Sequence, residues 1–224
     1  MSRETAIALA DVRAEIRAGK SIARALMNQA VRTHVLTGRV LDVGSHEPTT
    51  YIERMAKEEP LELERVDLTF PEGSPRHVDL ERDPLPHADG TFDQVLVFNL
   101  LEHLYEPGNV LREARRVLKD GSEVLGFVPF LVQYHPDPHD YFRYTREALA
   151  RMLADAGFED ARVDEIGRGP FAVNYMNVMF AAPMPIRIAM LYWYWALDSV
   201  FLMLRPEARR RCPLGYLFRA SKPS

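Results

Sequence analysis

From Val40 onward the chain alternates between two hydrophobic rhythms. Short apolar runs read as buried strands: 40–43 (VLDV), 61–66, 77–80, 92–98 (FDQVLVF), 123–128, 161–165 and 215–220 (GYLFRA). Between them lie stretches with helical spacing. These are 51–59, stopped by Pro60, then 107–118, and 145–156 with Thr145 as N-cap and Gly157 at the C-terminal end. Ahead of the first strand, 3–18 and 21–36 read as two helices. Ile7, Leu9, Val12 and Ile16 recur near helical spacing, Gly19 interrupts, Ser21 is a candidate cap and Gly38 a stop. Strands alternating with helices predict an α/β chain with a doubly wound, mostly parallel, seven-stranded sheet.

The alternation fails between about 168 and 212. Within it, Ile186 to Leu204 is nineteen residues with only Arg187 and Asp198 charged, close to the length of a bilayer span. The mid-segment Asp198 is costly in lipid. The expectation is therefore a buried helix or a contact between subunits, ahead of a helix resting on a membrane surface, with a true span last. The aromatic cluster Tyr192–Trp195 suits an interface. The N-terminal stretch mixes acids and bases and does not read as a secretory leader.

Composition narrows the functional classes. Of 224 residues, 28 are Lys or Arg and 32 are Asp or Glu, a net charge of −4, and 47% are hydrophobic. That is a globular composition, and its acidic balance argues against a nucleic-acid partner. Arg209–Arg211 is a short basic run rather than a basic face. One cysteine, Cys212, excludes an internal disulfide and a cysteine zinc centre, and suits a reducing, cytoplasmic setting.

In a sheet of this type ligands bind at the carboxyl ends of the strands. The first strand ends in Asp42-x-Gly44, a carboxylate beside a residue that lets backbone approach a ligand. The loop, Gly44-Ser45-His46-Glu47-Pro48, lacks the remaining glycines of a dinucleotide fingerprint, which disfavours a nicotinamide or nucleotide-sugar enzyme. No G-K-[ST] follows, which excludes a P-loop.

Five ordered segments carry a more specific signal: VLDVGS (40–45), Asp67, DPLPHADGTFDQVLVFNLLEHL (83–104), REARRVLKDGSEVLGFVPF (112–130) and PHDYFRYTREALARMLADAGF (138–158). Together they resemble class I S-adenosylmethionine-dependent methyltransferases of the bacterial type 11-like branch. The resemblance covers roughly 38–166 plus the last strand. It implies a Rossmann-like methyltransferase domain over 38–224, with 1–37 as a helical cap and 168–212 as a hydrophobic helical insertion. It also implies S-adenosylmethionine as cofactor, with S-adenosylhomocysteine as product. By matched position, Asp42, Gly44, Ser45 and His46 would face the methionine and ribose portion. Asp67, with Leu68 beside it, would take the ribose hydroxyls. Asp79 would meet the adenine amine and Leu80 the adenine ring. Asn99, Leu100 and His103 would line the pocket at the reacting methyl. For His103 a plain backbone hydrogen bond at a helix start is the equal alternative.

The sequence departs from that pattern at His46 and Pro48, where glycines are usual, at His87, and in the short Pro-rich segment after Asp67. These departures motivate one rival reading, a catalytically inactive partner subunit with the same fold. Against it stands the segment 134–145, with two His, two Asp, an Arg and three Tyr in twelve residues. His139 or His135 could take a proton from an acceptor, Asp140 could orient such a His, and Tyr134, Arg143 and Tyr144 could hold the acceptor. A structural role, pinning the loop, competes for Asp140, Arg143 and His139. His135, Asp137 and His139 do not have a recognised ligand spacing, so no metal is expected. The acceptor is expected to be a small molecule, a saccharide or lipid-like, methylated at O or N. Peripheral membrane contact or homo-oligomerisation is assigned to 171–204.

Overall fold

The computed structural model describes residues 8–47 and 49–224, so Pro48 and the start of the first expected helix lie outside the described residues. Two helices, α1 (Leu9–Arg17) and α2 (Ile22–Ala30), come first, and the Ser21 hydroxyl caps α2 by accepting from Arg24 N. There follow β1 (Val35–Val43), α3 (Thr50–Arg54), β2 (Ala56–Val66), β3 (Phe92–Phe98), α4 (Gly108–Val117), β4 (Leu118–Pro129), α5 (Arg146–Asp155) and β5 (Glu159–Ile166). Helices α6 (Pro170–Val178), α7 (Met184–Leu204) and α8 (Ala208–Arg211) lead to β6 (Gly215–Ser221).

The six strands form one sheet in the order β2-β1-β3-β4-β6-β5. The first four are parallel, and β6 runs antiparallel between β4 and β5. Burial on both faces explains the unbroken apolar runs. Leu41, Val43, Val95 and Val97 face α4 and α5 through Leu111, Ala114, Leu149 and Leu153. Their neighbours in sequence, Val40, Leu96 and Phe98, face Met27 of α2 and Tyr51 of α3.

Three expectations change. The segment expected as a third strand, 77–80, makes only an isolated bridge between Asp67 and His77. The chain turns at Asp79, whose carbonyl accepts from Arg82 N and Asp83 N, so no longer ladder forms there. The helix expected over 51–59 ends at Arg54. Residues 56–60 instead join the sheet edge, where Ala56 pairs with Val35 and Ala56 N donates to His34 O. Pairing with β1 overrides the helical preference of Lys57, Glu58 and Glu59. The helix expected over 21–36 ends at Ala30, because β1 begins at Val35 rather than Val40.

The insertion packs on α1 and α2: Val12, Ile16, Leu26, Ala172, Tyr175 and Leu191 form one cluster. Of the two leading expectations for α7, a buried helix or a contact between subunits, the first does not hold, since only Leu191 and Asp198 in it are buried. Trp193 is 59% and Met203 83% exposed. It is long and apolar enough to cross a membrane by length and composition. Its buried carboxylate serves the neighbouring helix. Asp198 accepts from Phe171 N at 3.0 Å and Ala172 N at 2.8 Å, capping α6. Burial nonetheless raises its pKa.

Candidate functional site

The chain runs from β1 out to β2 and returns past β1 to β3. That reversal opens a crevice at the carboxyl ends of β1 and β3. Two cavities occupy it. One, of about 310 Å³, is lined by Gly44, Ser45, His46, Glu47, Asn99 and His103, among others. The second, of about 240 Å³, lies between α2, α6 and the 129–135 segment. Arg24, Asn99 and His135 line both.

The first loop is tightly built. Gly44 has φ +80°, and a Cβ there would come within 2.7 Å of Leu100. Its N–H donates to Val66 O, which ties the loop to β2. Ser45 is buried and its hydroxyl donates to Glu47 O. His46 is exposed, with its ring 4.5 Å from that of Phe70. Asp42 lies beneath, fully buried. Its Oδ1 accepts from the Tyr51 hydroxyl at 2.6 Å and its Oδ2 has no partner. Burial pushes its pKa up to about 6, against the hydrogen bond from Tyr51.

Asp67 ends β2 half-buried, with Oδ1 accepting from Thr69 N and Oγ1, and the neighbouring Leu68 is exposed. Asp79 accepts from Glu81 N and stands 3.7 Å from Arg82, while Leu80 is packed in the core beside Val78 and Leu85. Asn99 adopts a left-handed φ of +49°, and its N–H donates to Phe127 O at 2.8 Å.

The 134–145 segment is fastened over this edge by the short 3₁₀ turn Leu101–His103. Tyr141 N donates to Glu102 O, the Tyr144 hydroxyl to Leu101 O at 3.0 Å, and His103 Nδ1 to His139 O at 2.5 Å. Arg143 grips Asp140 with both Nη atoms, at 2.5 and 2.7 Å, and donates to Gln133 O. Asp140 also accepts from His135 N, and the guanidinium holds its pKa down at about 2. Asp140, Arg143 and the buried Tyr144 are thus engaged in holding the loop. The His139 ring is exposed against Tyr141, whereas the His135 ring lines both cavities and Tyr134 stands at the mouth of the smaller one. The Glu102 carboxylate raises the His135 pKa, in spite of partial burial of the ring.

Sequence reasoning missed Arg24 and Glu102. Glu102 is 0% exposed and neither of its carboxylate oxygens has a hydrogen-bond partner. The available signal was an acid inside the apolar run LLEHL.

Residues 41–125, the part of the chain that builds β1 to β4 and this crevice, match the family described as a methyltransferase domain. That stretch of the chain is similar to methyltransferase domains. A probable S-adenosylmethionine-dependent methyltransferase of Mycolicibacterium smegmatis is 34% identical over 101 residues, 42% of this chain and 38% of the relative. One from Mycobacterium tuberculosis is 28% identical over 92 residues, 38% of this chain and 34% of the relative. The chain thus spans little more than a third of the length of these curated relatives.

Solved structures share the fold of the methyltransferase domain. Phosphoethanolamine N-methyltransferase 2 of Haemonchus contortus, in complex with S-adenosylmethionine, superposes with a TM-score of 0.52 at 15% identity. That match covers 88% of this chain and 52% of that one. The 1,6-didemethyltoxoflavin-N1-methyltransferase of Burkholderia thailandensis gives 0.51 at 15% identity, covering 98% and 88%.

Proposed function

We propose that this protein transfers a methyl group from S-adenosylmethionine to a small-molecule or lipid-like acceptor, at oxygen or nitrogen. The observation that carries the reading is the pair of adjoining cavities sharing Arg24, Asn99 and His135. Methyl transfer needs two ligands meeting at one carbon, in line, and much of its acceleration comes from alignment.

The residues fit the cofactor. The Gly44 turn, with no room for a Cβ against Leu100, brings backbone to the cavity wall, and Asp67 offers a half-exposed carboxylate just past β2, suited to a pair of hydroxyls. S-adenosylmethionine supplies an electrophilic methyl on a sulfonium. The Gly44–Glu47 wall binds it, Asn99 stands between donor and acceptor cavities, and His135 presents its imidazole to the acceptor. Asp140 and Arg143 position His135 through the loop they fasten. The inactive-subunit reading loses part of its motive, because His46 lies exposed against Phe70 and a cavity of about 310 Å³ persists beside it.

Calorimetric titration with S-adenosylhomocysteine tests the cofactor, and transfer of labelled methyl to acceptors tests turnover. Micromolar binding that weakens on Asp67→Ala substitution supports the reading. Folded protein with no binding refutes it.

A further inference from the structure

Three side chains with potential ligand atoms converge beside the cavity. Glu102 Oε1 lies 3.6 Å from His103 Nε2 and 3.8 Å from His135 Nε2. One ligand atom from each of the three side chains lies within 4.8 Å of the others. The far sides of the rings constrain the tautomers. His103 Nδ1 faces His139 O at 2.5 Å and His135 Nδ1 faces Gln133 O at 2.9 Å. A carbonyl only accepts, so His103 Nδ1 carries the proton and its Nε2 presents a lone pair to a buried carboxylate. His135 Nδ1 faces both the Gln133 carbonyl and, at 3.3 Å, the Arg143 guanidinium, and a metal on its Nε2 would set the proton on Nδ1 toward Gln133 O.

Such a cluster is unfavourable without a cation at its centre. The separations discriminate between a proton and a larger ion. At 3.6 and 3.8 Å neither imidazole reaches the carboxylate as a hydrogen-bond donor. They are close to the edge of about 3.4 Å between ligands of a tetrahedral zinc with bonds near 2.1 Å. Backbone carbonyls on Nδ1 are also the usual outer partners of ligating imidazoles, fixing ring orientation. Two guanidiniums, Arg24 and Arg143, act on Glu102 electrostatically. Arg143 is committed to Asp140, and neither guanidinium makes a hydrogen bond with the Glu102 carboxylate.

We infer that Glu102, His103 and His135 form a binding site for a divalent transition-metal ion, of the two-imidazole, one-carboxylate class that suits zinc. His103 and His135 line the cavity wall, so the ion's remaining positions open toward the bound acceptor and suit an oxygen ligand. That use of the ion rests on the methyl-transfer reading, but uptake of the metal does not.

The test is calorimetric and elemental titration of the chelator-stripped full chain with Zn²⁺, without cofactor or acceptor, and with Mg²⁺ in parallel. The expected result is one Zn²⁺ per chain, with Mg²⁺ binding far more weakly. Glu102→Gln and His103→Ala are expected to weaken Zn²⁺ binding by about 100-fold or more. Cys212→Ser controls for a stray thiol site and should bind as the parent does. Should Glu102→Gln fail to fold, His135→Ala, at a half-exposed side chain, carries the same expectation. Co²⁺-loaded protein should show visible d–d absorption that these ligand variants lose. Absence of stoichiometric Zn²⁺ uptake, equal affinity in the ligand variants, or tighter Mg²⁺ binding each overturns the inference. None of those outcomes touches methyl transfer, which is read in its own assay.

Discussion

Replacing Asp42 with Asn should make the ligand-free protein more stable at neutral pH. Asp42 is wholly enclosed, with one oxygen satisfied by Tyr51 and the other by nothing. Burial lifts its pKa from 3.8 to about 6. A carboxyl raised on folding binds its proton more tightly in the folded than in the unfolded chain. Its contribution is therefore fully present below pH 3.8 and is lost as pH rises through about 6. The gap between 3.8 and about 6, at about 1.36 kcal/mol per pH unit, amounts to about 3 kcal/mol. Asn resembles the protonated acid and keeps an acceptor for the Tyr51 hydroxyl. Asp42→Asn should then match the parent near pH 4 and exceed it by about 3 kcal/mol at pH 7.5. Urea unfolding at a series of pH values between 4 and 8 measures both curves. Parallel curves, or a parent that gains stability relative to the variant as pH rises, would refute the reasoning.

Asp67→Ala should weaken S-adenosylhomocysteine binding by about 1.5–3 kcal/mol, the scale of a hydrogen bond to a charged group; unchanged calorimetric affinity would remove Asp67 from the cofactor site. Asp198→Ala uncaps α6 and should lower stability by about 1–2 kcal/mol in urea unfolding, with a loss near zero contradicting the capping role. Tyr144→Phe leaves Leu101 O without its buried donor and should cost about 1–2 kcal/mol, visible in the same unfolding experiment.

The sheet was legible where residues are buried on both faces, because runs such as FDQVLVF have few other ways to hide their side chains. Legibility failed at the edge. Lys57–Glu59 carries helix-favouring residues, yet its conformation is set by β1, far along the chain, so no local pattern reports it. The tight turn after β1 was readable from Gly44, whose left-handed conformation is a local property. The Glu102 cluster was not, since Glu102 and His135 meet only once the 134–145 segment is laid across the 3₁₀ turn. Asp198 was read as a penalty within an apolar helix. Its capping of α6 depends on how two helices pack, which periodicity within either does not encode.

The reduction of the 77–80 segment to a single bridge leaves β2 as a free border of the sheet, with backbone groups open to a further strand. Such a border invites chain-to-chain association by strand addition, and this one carries its own deterrents. Lys57, Glu58, Glu59, Glu62, Glu64 and Arg65 line it with charge, and Pro60 interrupts its donors. Two copies brought edge to edge in opposite directions would set several acids against one another. Self-association through the sheet is thereby discouraged, whereas the exposed apolar side chains Trp193, Val200, Met203 and Leu204 stand on a different kind of element, the helix α7.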